Sequence, residues 1–267
     1  MTWGDYAGYK CLTFERRERI LRVTLNRPDT LNQVDGDMHH DLSVVFEEIN
    51  RDPGCDVVVL TGAGRAFCAG GSASWMQGMI DEPAEFSAIG PDAKRIVFSL
   101  LELEKPIICR LNGAAAGLGA TIALLCDIII ASDKAVIGDP HVKMGFVAGD
   151  GGAVIWPQLV GFARAKEFLM TGEMLTAERA ERIGLVNYVV PAAELDARVD
   201  AMADTLAHGA TLAIRWTKTV ANIPLRRRAH EVMDASVAYE MMSNISADHQ
   251  EAVRAFLEKR KPKFSGR

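Results

Sequence analysis

The chain has 267 residues, 49% of them hydrophobic and 24% charged, and a formal net charge of −5. That composition excludes a disordered or low-complexity polypeptide, and the acidic balance argues against a nucleic-acid binder. The length suits one large domain, or one domain with a small appendage.

The five cysteines, Cys11, Cys55, Cys68, Cys109 and Cys126, are scattered without a CxxC pair. An odd number without ligand spacing points to reduced thiols in a cytoplasm, not to a disulfide framework or a zinc site. The stretch MTWGDYAGYK at the N-terminus lacks the apolar core of a signal peptide. The longest weakly polar run, Gly113–Cys126, is too short to span a bilayer and reads as a buried helix.

In chain order, Lys10–Phe14 and Arg19–Leu25 read as strands, with the charged ERRER between them as a hairpin tip. Pro28 ends the second strand because it lacks an N–H and restricts Arg27. Asp37–Asn50 places Met38, Leu42, Val45, Phe46 and Ile49 on one helical face. Val57–Leu60 is a continuous apolar run, as expected of a strand buried on both faces. A glycine-rich loop, Thr61–Ser72 (TGAGRAFCAGGS), follows it, and Glu85–Leu103 reads as an amphipathic helix. Next come a strand at Ile107–Leu111 and a small-residue run, Asn112–Gly119. A helix to about Cys126, a strand at Ile128–Ala131 and a short strand at Ala135–Gly138 follow. Asp139–Gly152 is a loop dense in glycine and ionisable groups. Gly161–Met170 and Thr176–Ile183 read as helices, the second capped by Thr176, and Val186–Val190 as a strand. From Glu194 onward the chain reads as helical, in four segments ending near Lys259.

Each glycine-rich loop lies beyond an apolar strand. If those strands are neighbours in one sheet, both loops open on the same edge, where ligands of α/β proteins bind. One N–H from each loop could then converge on a carbonyl oxygen and stabilise negative charge developing there. Either loop alone could equally be an ordinary turn. Gly62-Ala63-Gly64 lacks the third glycine of a dinucleotide site, and there is no phosphate-loop lysine.

Taken together, TGAGRAFCAGG, LNGAAAGLGATIALLCDIIIAS, VNYVVP and the tail FLEKRKPKFSGR resemble the crotonase family, which includes enoyl-CoA hydratases and isomerases. The resemblance runs from about Phe14 to the C-terminus. It implies an α/β fold: a spiral of repeated ββα units over residues 1–195, and a helical region over 196–267 that drives trimerisation, often into a dimer of trimers. It also implies a coenzyme A thioester as substrate, with no separate cofactor and no metal. The family's oxyanion donors fall on the N–H groups of Gly71 and Leu118, and Ala69 lies where its loop holds the adenine of coenzyme A. Phe256 and Lys259 match positions that contact adenine and phosphate in related enzymes, often from a neighbouring subunit. Lys259, Arg260, Lys261 and Lys263 would then meet a phosphorylated nucleotide. The same charge run could be a solvated terminus.

The chain departs from the hydratase pattern at the acid/base pair. Hydratases of the family use two glutamates, and those positions hold Thr121 and His141 here. Ser72 stands where an Asp or Asn is common after the first oxyanion position. The backbone device is therefore present without the carboxylates that handle water. His141 is the leading replacement, because imidazole titrates near neutrality; it could instead cap a turn after Pro140. Asp150 is second, with a helix N-cap as its structural alternative. Asp139 could orient the imidazole, and Thr121 could place a water. Asp127, Cys68 and Cys126 read as structural. Trp75, Met76 and Met79 could line an acyl pocket or simply face the core.

The reading is an acyl-CoA enzyme that forms an enolate-like anion. The alternatives are another crotonase reaction (isomerisation, thioester hydrolysis or decarboxylation) and a non-catalytic acyl-CoA-binding protein.

Overall fold

The computed structural model describes residues 4–267. β1 (Leu12–Arg17) and β2 (Ile20–Leu25) form an antiparallel hairpin with Arg17 opposite Ile20. Its tip is therefore Glu18-Arg19, and Glu15–Arg17, expected in the turn, stay paired within β1. That strand is the edge of its sheet, and charged side chains are tolerated on an edge exposed to water. α1 (Gly36–Arg51) starts at Asp35, whose carboxylate accepts the Met38 N–H. Its Met38, Leu42, Val45, Phe46 and Ile49 are buried, as the spacing required.

Three strand pairs follow: β3 (Val57–Gly62) with β4 (Ala66–Cys68), β5 (Ile107–Leu111) with β6 (Ala114–Ala116), and β7 (Ile128–Ser132) with β8 (Val136–Gly138). After the first pair come α2 (Ala73–Asp81) and α3 (Pro83–Glu102), after the second α4 (Leu118–Leu124), and after the third α5 (Gly152–Thr171). β9 (Met174–Thr176), α6 (Ala177–Arg182) and β10 (Tyr188–Val190) complete this part. In each pair the first strand joins one sheet, ordered β1-β2-β3-β5-β7-β10, and the second joins another, ordered β4-β6-β8-β9. Each turn of the chain adds one strand to each sheet and then a helix, which is the expected ββα spiral. The first corner is pinned by side-chain amides. Asn32 Nδ2 donates to the carbonyls of Ala63, Ala66 and Phe67, and Asn112 Nδ2 to those of Gly64 and Ala66.

α7 (Leu195–Ala207), α8 (Thr211–Ala221), α9 (Ile223–Asn244) and α10 (Ala247–Leu257) form the C-terminal helices. α7 packs on the larger sheet: Leu195, Val199 and Ala203 meet Val57, Val59, Ile108 and Ile130. Val58, Leu60, Ile107 and Cys109 point to the opposite face, into the main core. The continuous apolar run of β3 is thus explained by burial on both faces, each fully buried Val or Leu contributing about 1.5–3 kcal/mol. No helix among the described residues is long and apolar enough to cross a membrane.

Three further departures concern short elements. β4, β6 and β9 have three residues each and were not anticipated, because so few residues display no periodicity. The helix expected from Gly161 begins at Gly152 and bends at Gly161 (φ 78°). The loop Asp139–Gly152 contains a single 3-10 turn, His141–Met144.

Candidate active site

The site is built where the parallel strands of the smaller sheet end. β4, β6 and β8 are neighbours, and their C-termini deliver Ala69–Gly71, Gly117–Leu118 and Asp139–His141 to one edge. The anticipated convergence of two loops is present, but β4 and β6 carry it, not the longer apolar strands before them. A third loop joins them.

Gly71 forms an isolated parallel bridge with Val34, in which the Gly70 carbonyl accepts the Val34 N–H and the Val34 carbonyl accepts the Ser72 N–H. Strand geometry then turns the Gly71 N–H away from Val34. Leu118 is the first residue of α4, where an N–H has no intrahelical acceptor. Gly117 before it has φ 54° and ψ −125°, a conformation reserved for glycine. A Cβ there would lie 3.2 Å from Cε1 of His141, so the missing side chain also admits the imidazole beside the turn.

His141 bridges two carboxyl groups. Its Nδ1 bonds Asp139 Oδ1, and its Nε2 lies 3.4 Å from Asp150 Oδ2. Thr121 donates its hydroxyl to Asp150 Oδ1 at 3.2 Å. Glu240, from α9, is buried beside the same loop: a Cβ on Gly149 would lie 2.5 Å from its Cβ. Burial opposes charge on His141, but Asp139 and Asp150 outweigh it and hold its pKa well above the usual imidazole value. Burial raises Asp150 and the neighbouring imidazolium lowers it, leaving a net depression. Burial and the Asp150 charge push Glu240 well above the usual carboxyl range, which favours its neutral form. These shifts favour the cationic form of His141 next to Asp150 and the neutral form of Glu240. Asp139, His141 and Asp150 could also supply three metal-ligand atoms. Both ring nitrogens already face a carboxylate, however, so the geometry is a hydrogen-bonded chain more than a convergent donor set.

These groups open on a cavity of about 440 Å³ lined by Gly71, Leu118, His141, Asp150 and Glu240. Its apolar wall includes Trp75, Met76 and Met79, in agreement with the pocket reading of those residues, and Ala69 also lines it. His39 on α1 faces the cavity too. Burial depresses its pKa to about 4, and its ring meets Trp75 at 5.6 Å. Phe256 and Arg260 reach the mouth. Lys259 is exposed and does not line the cavity, and Arg260 is engaged by Glu251 and Glu258.

Two of the expected roles change. Thr121 is fully buried and spends its hydroxyl on Asp150, so it positions that carboxylate and does not hold a water in the cavity. Asp150 does not occupy the N-cap of α5; Gly151 does, without a side-chain cap. Asp127 is structural as read, accepting the Ile107 N–H and pairing with Lys218 at 2.7 Å. The thiol of Cys68 is pushed up to about 12 by burial, which rules out a nucleophile there. Glu240 and His39 were missed. His39 sits on the amphipathic α1, where a polar residue at a buried helical position was the available signal; Glu240 sits on the polar α9, which gave none.

Gly71 and Leu118 thus share one cavity with the ionisable groups of His141, Asp150 and Glu240, at the edge of a ββα spiral. The family model for enoyl-CoA hydratase/isomerase matches residues 15–267, and the chain belongs to that family, the crotonases. It is 34% identical to crotonyl-CoA hydratase of Syntrophomonas wolfei over 260 residues, covering 96% of this chain and 98% of the relative. An enoyl-CoA hydratase/isomerase from Mycobacterium paratuberculosis superposes with a TM-score of 0.89 at 32% identity, over 92% of this chain and 99% of the other. A β-diketone hydrolase from Anabaena sp. PCC 7120, solved with bound (S)-3-oxocyclohexyl acetic acid, superposes with a TM-score of 0.84 at 34% identity, over 90% and 96%.

Proposed function

We propose that this chain binds an acyl-CoA thioester and moves a proton next to its carbonyl through an enolate-like anion. The observation that carries the reading is the chain Asp139–His141–Asp150 opening on the same cavity as the Gly71 and Leu118 N–H groups. The two N–H groups would receive the carbonyl oxygen and stabilise its developing charge. Asp150, ionised and held by Thr121, would take the proton from the substrate or from a water. The His141 imidazolium would steady that carboxylate and return a proton. This replaces the two-glutamate hydration device with one carboxylate and one imidazolium. Coenzyme A would enter past Ala69 and Phe256, with Lys259 and its neighbours near the phosphates. A homotrimer, or a dimer of trimers, in the cytoplasm belongs to the same proposal. Leu212, Trp216 and Val220 on α8 are exposed apolar residues available for such contacts.

A second reading is hydrolysis of a carbon–carbon bond in a β-diketone. It is favoured by the Anabaena hydrolase and by two further polar groups in the cavity, neutral His39 and protonated Glu240. A second carbonyl would find a donor there. Water would add to one carbonyl, and the bond to the central carbon would break to leave the enolate of the other.

The test is to incubate the protein with crotonyl-CoA, a panel of saturated and 3-oxoacyl-CoA thioesters, and cyclic β-diketones, following products by mass spectrometry. Conversion of a thioester supports the first reading. Gain of one water by a diketone, with every thioester unaltered, replaces it with the second. Binding without conversion of any compound leaves an acyl-CoA-binding protein.

A further inference from the structure

The far wall of the cavity is one side chain thick. α3 and α9 cross there, and Gly90, Val237 and Met241 line the cavity from the inside. The same three residues line a separate depression on the outer surface, with Pro91, Phe98 and His230. They are therefore the partition between the two spaces. Gly90 leaves a notch that the thioether end of Met241 fills: a Cβ on Gly90 would lie 2.3 Å from Met241 Cε and 3.5 Å from Val237 Cγ1. Methionine is unbranched, with freely turning bonds, and Met241 is only partly buried. Its methyl can leave the notch by rotation alone. Pro91, the next residue, has no N–H to donate to the Ser87 carbonyl, so α3 is loosened at the same point.

The two spaces differ in character. The inner one is mostly apolar on this side, through Phe86, Ile89 and Ala93. The outer one has an apolar floor at Phe98 and Ala238 and a charged rim, where Lys94 pairs with Asp234 and Arg95 with Asp92 at 2.5 Å. Phe98 and His230 meet with ring centroids 4.5 Å apart. An apolar tail could lie across the floor while its end reaches the wetted rim.

We propose that Met241 is a movable stop over Gly90, and that a long-chain acyl tail displaces it to thread between α3 and α9 into the outer depression. The substrate class this admits is acyl groups longer than the cavity, with apolar tails. The proposal rests on the acyl-thioester reading for the identity of the ligand, but not on which reaction follows.

The experiment measures affinity for saturated acyl-CoA thioesters from butyryl to tetradecanoyl by calorimetry. Each buried methylene adds about fourfold in affinity. In the wild type the rise should continue through the longest tails. In Gly90→Leu, which fills the notch with branched carbon, it should stop at an intermediate length, with tetradecanoyl binding weakened about tenfold or more. Met241→Ala should keep the full rise. A wild-type series that stops rising at the short tails, or a Gly90→Leu series with the wild-type slope, overturns the proposal. A cross-link guards against a variant that fails to fold. A dodecanoyl-CoA carrying a terminal diazirine should label Phe98 or His230 of the wild-type protein, and labelling confined to inner residues such as Phe146 counts against the path. If no thioester binds, butyryl-CoA included, the acyl-CoA reading fails instead. Dodecanoic acid with the same terminal diazirine then tests the path with the same two outcomes.

Discussion

The two walls of the cavity are made by opposite means. On one side Gly71 and Leu118 present main chain, and what fixes them is strand pairing and a helix start. On the other side His141, Asp150 and Glu240 present side chains that come from two loop positions and a distant helix. A backbone donor is specified by local conformation, so a short run such as Gly117-Leu118 carries it entire. A side-chain cluster is specified by packing between elements far apart in sequence. The backbone wall therefore tolerates many neighbours, whereas the side-chain wall can be exchanged, which is how one fold hosts several reactions.

The sharpest way to break this comparison is to remove a backbone donor. Leu118→Pro deletes one N–H at the first position of α4, where proline suits the helix. Turnover of the responsive substrate should fall by about 10²–10³-fold relative to Leu118→Ala, which also loses the buried side chain but keeps the N–H. A variant with wild-type turnover would deprive the backbone wall of its role.

The other wall is probed by His141→Ala and Asp150→Asn, each expected to lower turnover by about a hundredfold or more. If one variant retains full turnover, the proton passes through the other residue alone. The pH profile adds direction. Turnover should fall in acid as Asp150 gains a proton, below the usual carboxyl range because its pKa is depressed. It should fall in alkali only above the ordinary imidazole range, because the pKa of His141 is raised. A single inflection at the ordinary imidazole value would contradict a cation held between carboxylates.

Packing behind the side-chain wall should also show in stability. A Cβ at position 149 would meet Glu240 Cβ at 2.5 Å and the Ser236 carbonyl at 2.6 Å, so Gly149→Ala should cost about 1–3 kcal/mol, read as a lower thermal midpoint. No loss would mean that α9 is not pressed against the loop. Linkage supplies a further check on the same contacts. The raised pKa of His141 gives stability that is complete below the unfolded imidazole value and is lost as pH rises through the folded one. The wild type should therefore lose stability in mild alkali relative to His141→Gln, by chemical denaturation across that range. The smallest effect belongs to the tail. Lys259 is exposed, so Lys259→Ala should weaken coenzyme A binding by only a few-fold, less at high salt.

These contrasts also explain what could be read before the fold was known. Val57–Leu60 and Ile107–Leu111 were legible as apolar runs, buried on both faces, and the face of α1 through its helical period. The two glycine-rich loops were legible because such runs mark backbone conformation, but the choice of Gly71 and Leu118 within them came from the resemblance to the family. The three-residue strands that actually carry the loops had no period to show. Thr121 could be identified as a departure from two glutamates, but its bond to Asp150 depends on α4 facing the loop before α5. Glu240 lies ninety residues beyond Asp150 in a helix of ordinary polar character, and only the close approach at Gly149 brings it to the cavity.

The central claim is that backbone donors and the Asp150–His141 pair act on one carbonyl to form an enolate. It is tested most directly by following exchange of the α-hydrogens of butyryl-CoA in deuterium oxide by proton NMR. The account predicts protein-dependent loss of the α-proton signal, abolished in Asp150→Asn and sharply reduced in Leu118→Pro. Bound butyryl-CoA that keeps its α-protons with the wild-type protein, or exchange undiminished in Asp150→Asn, would contradict it.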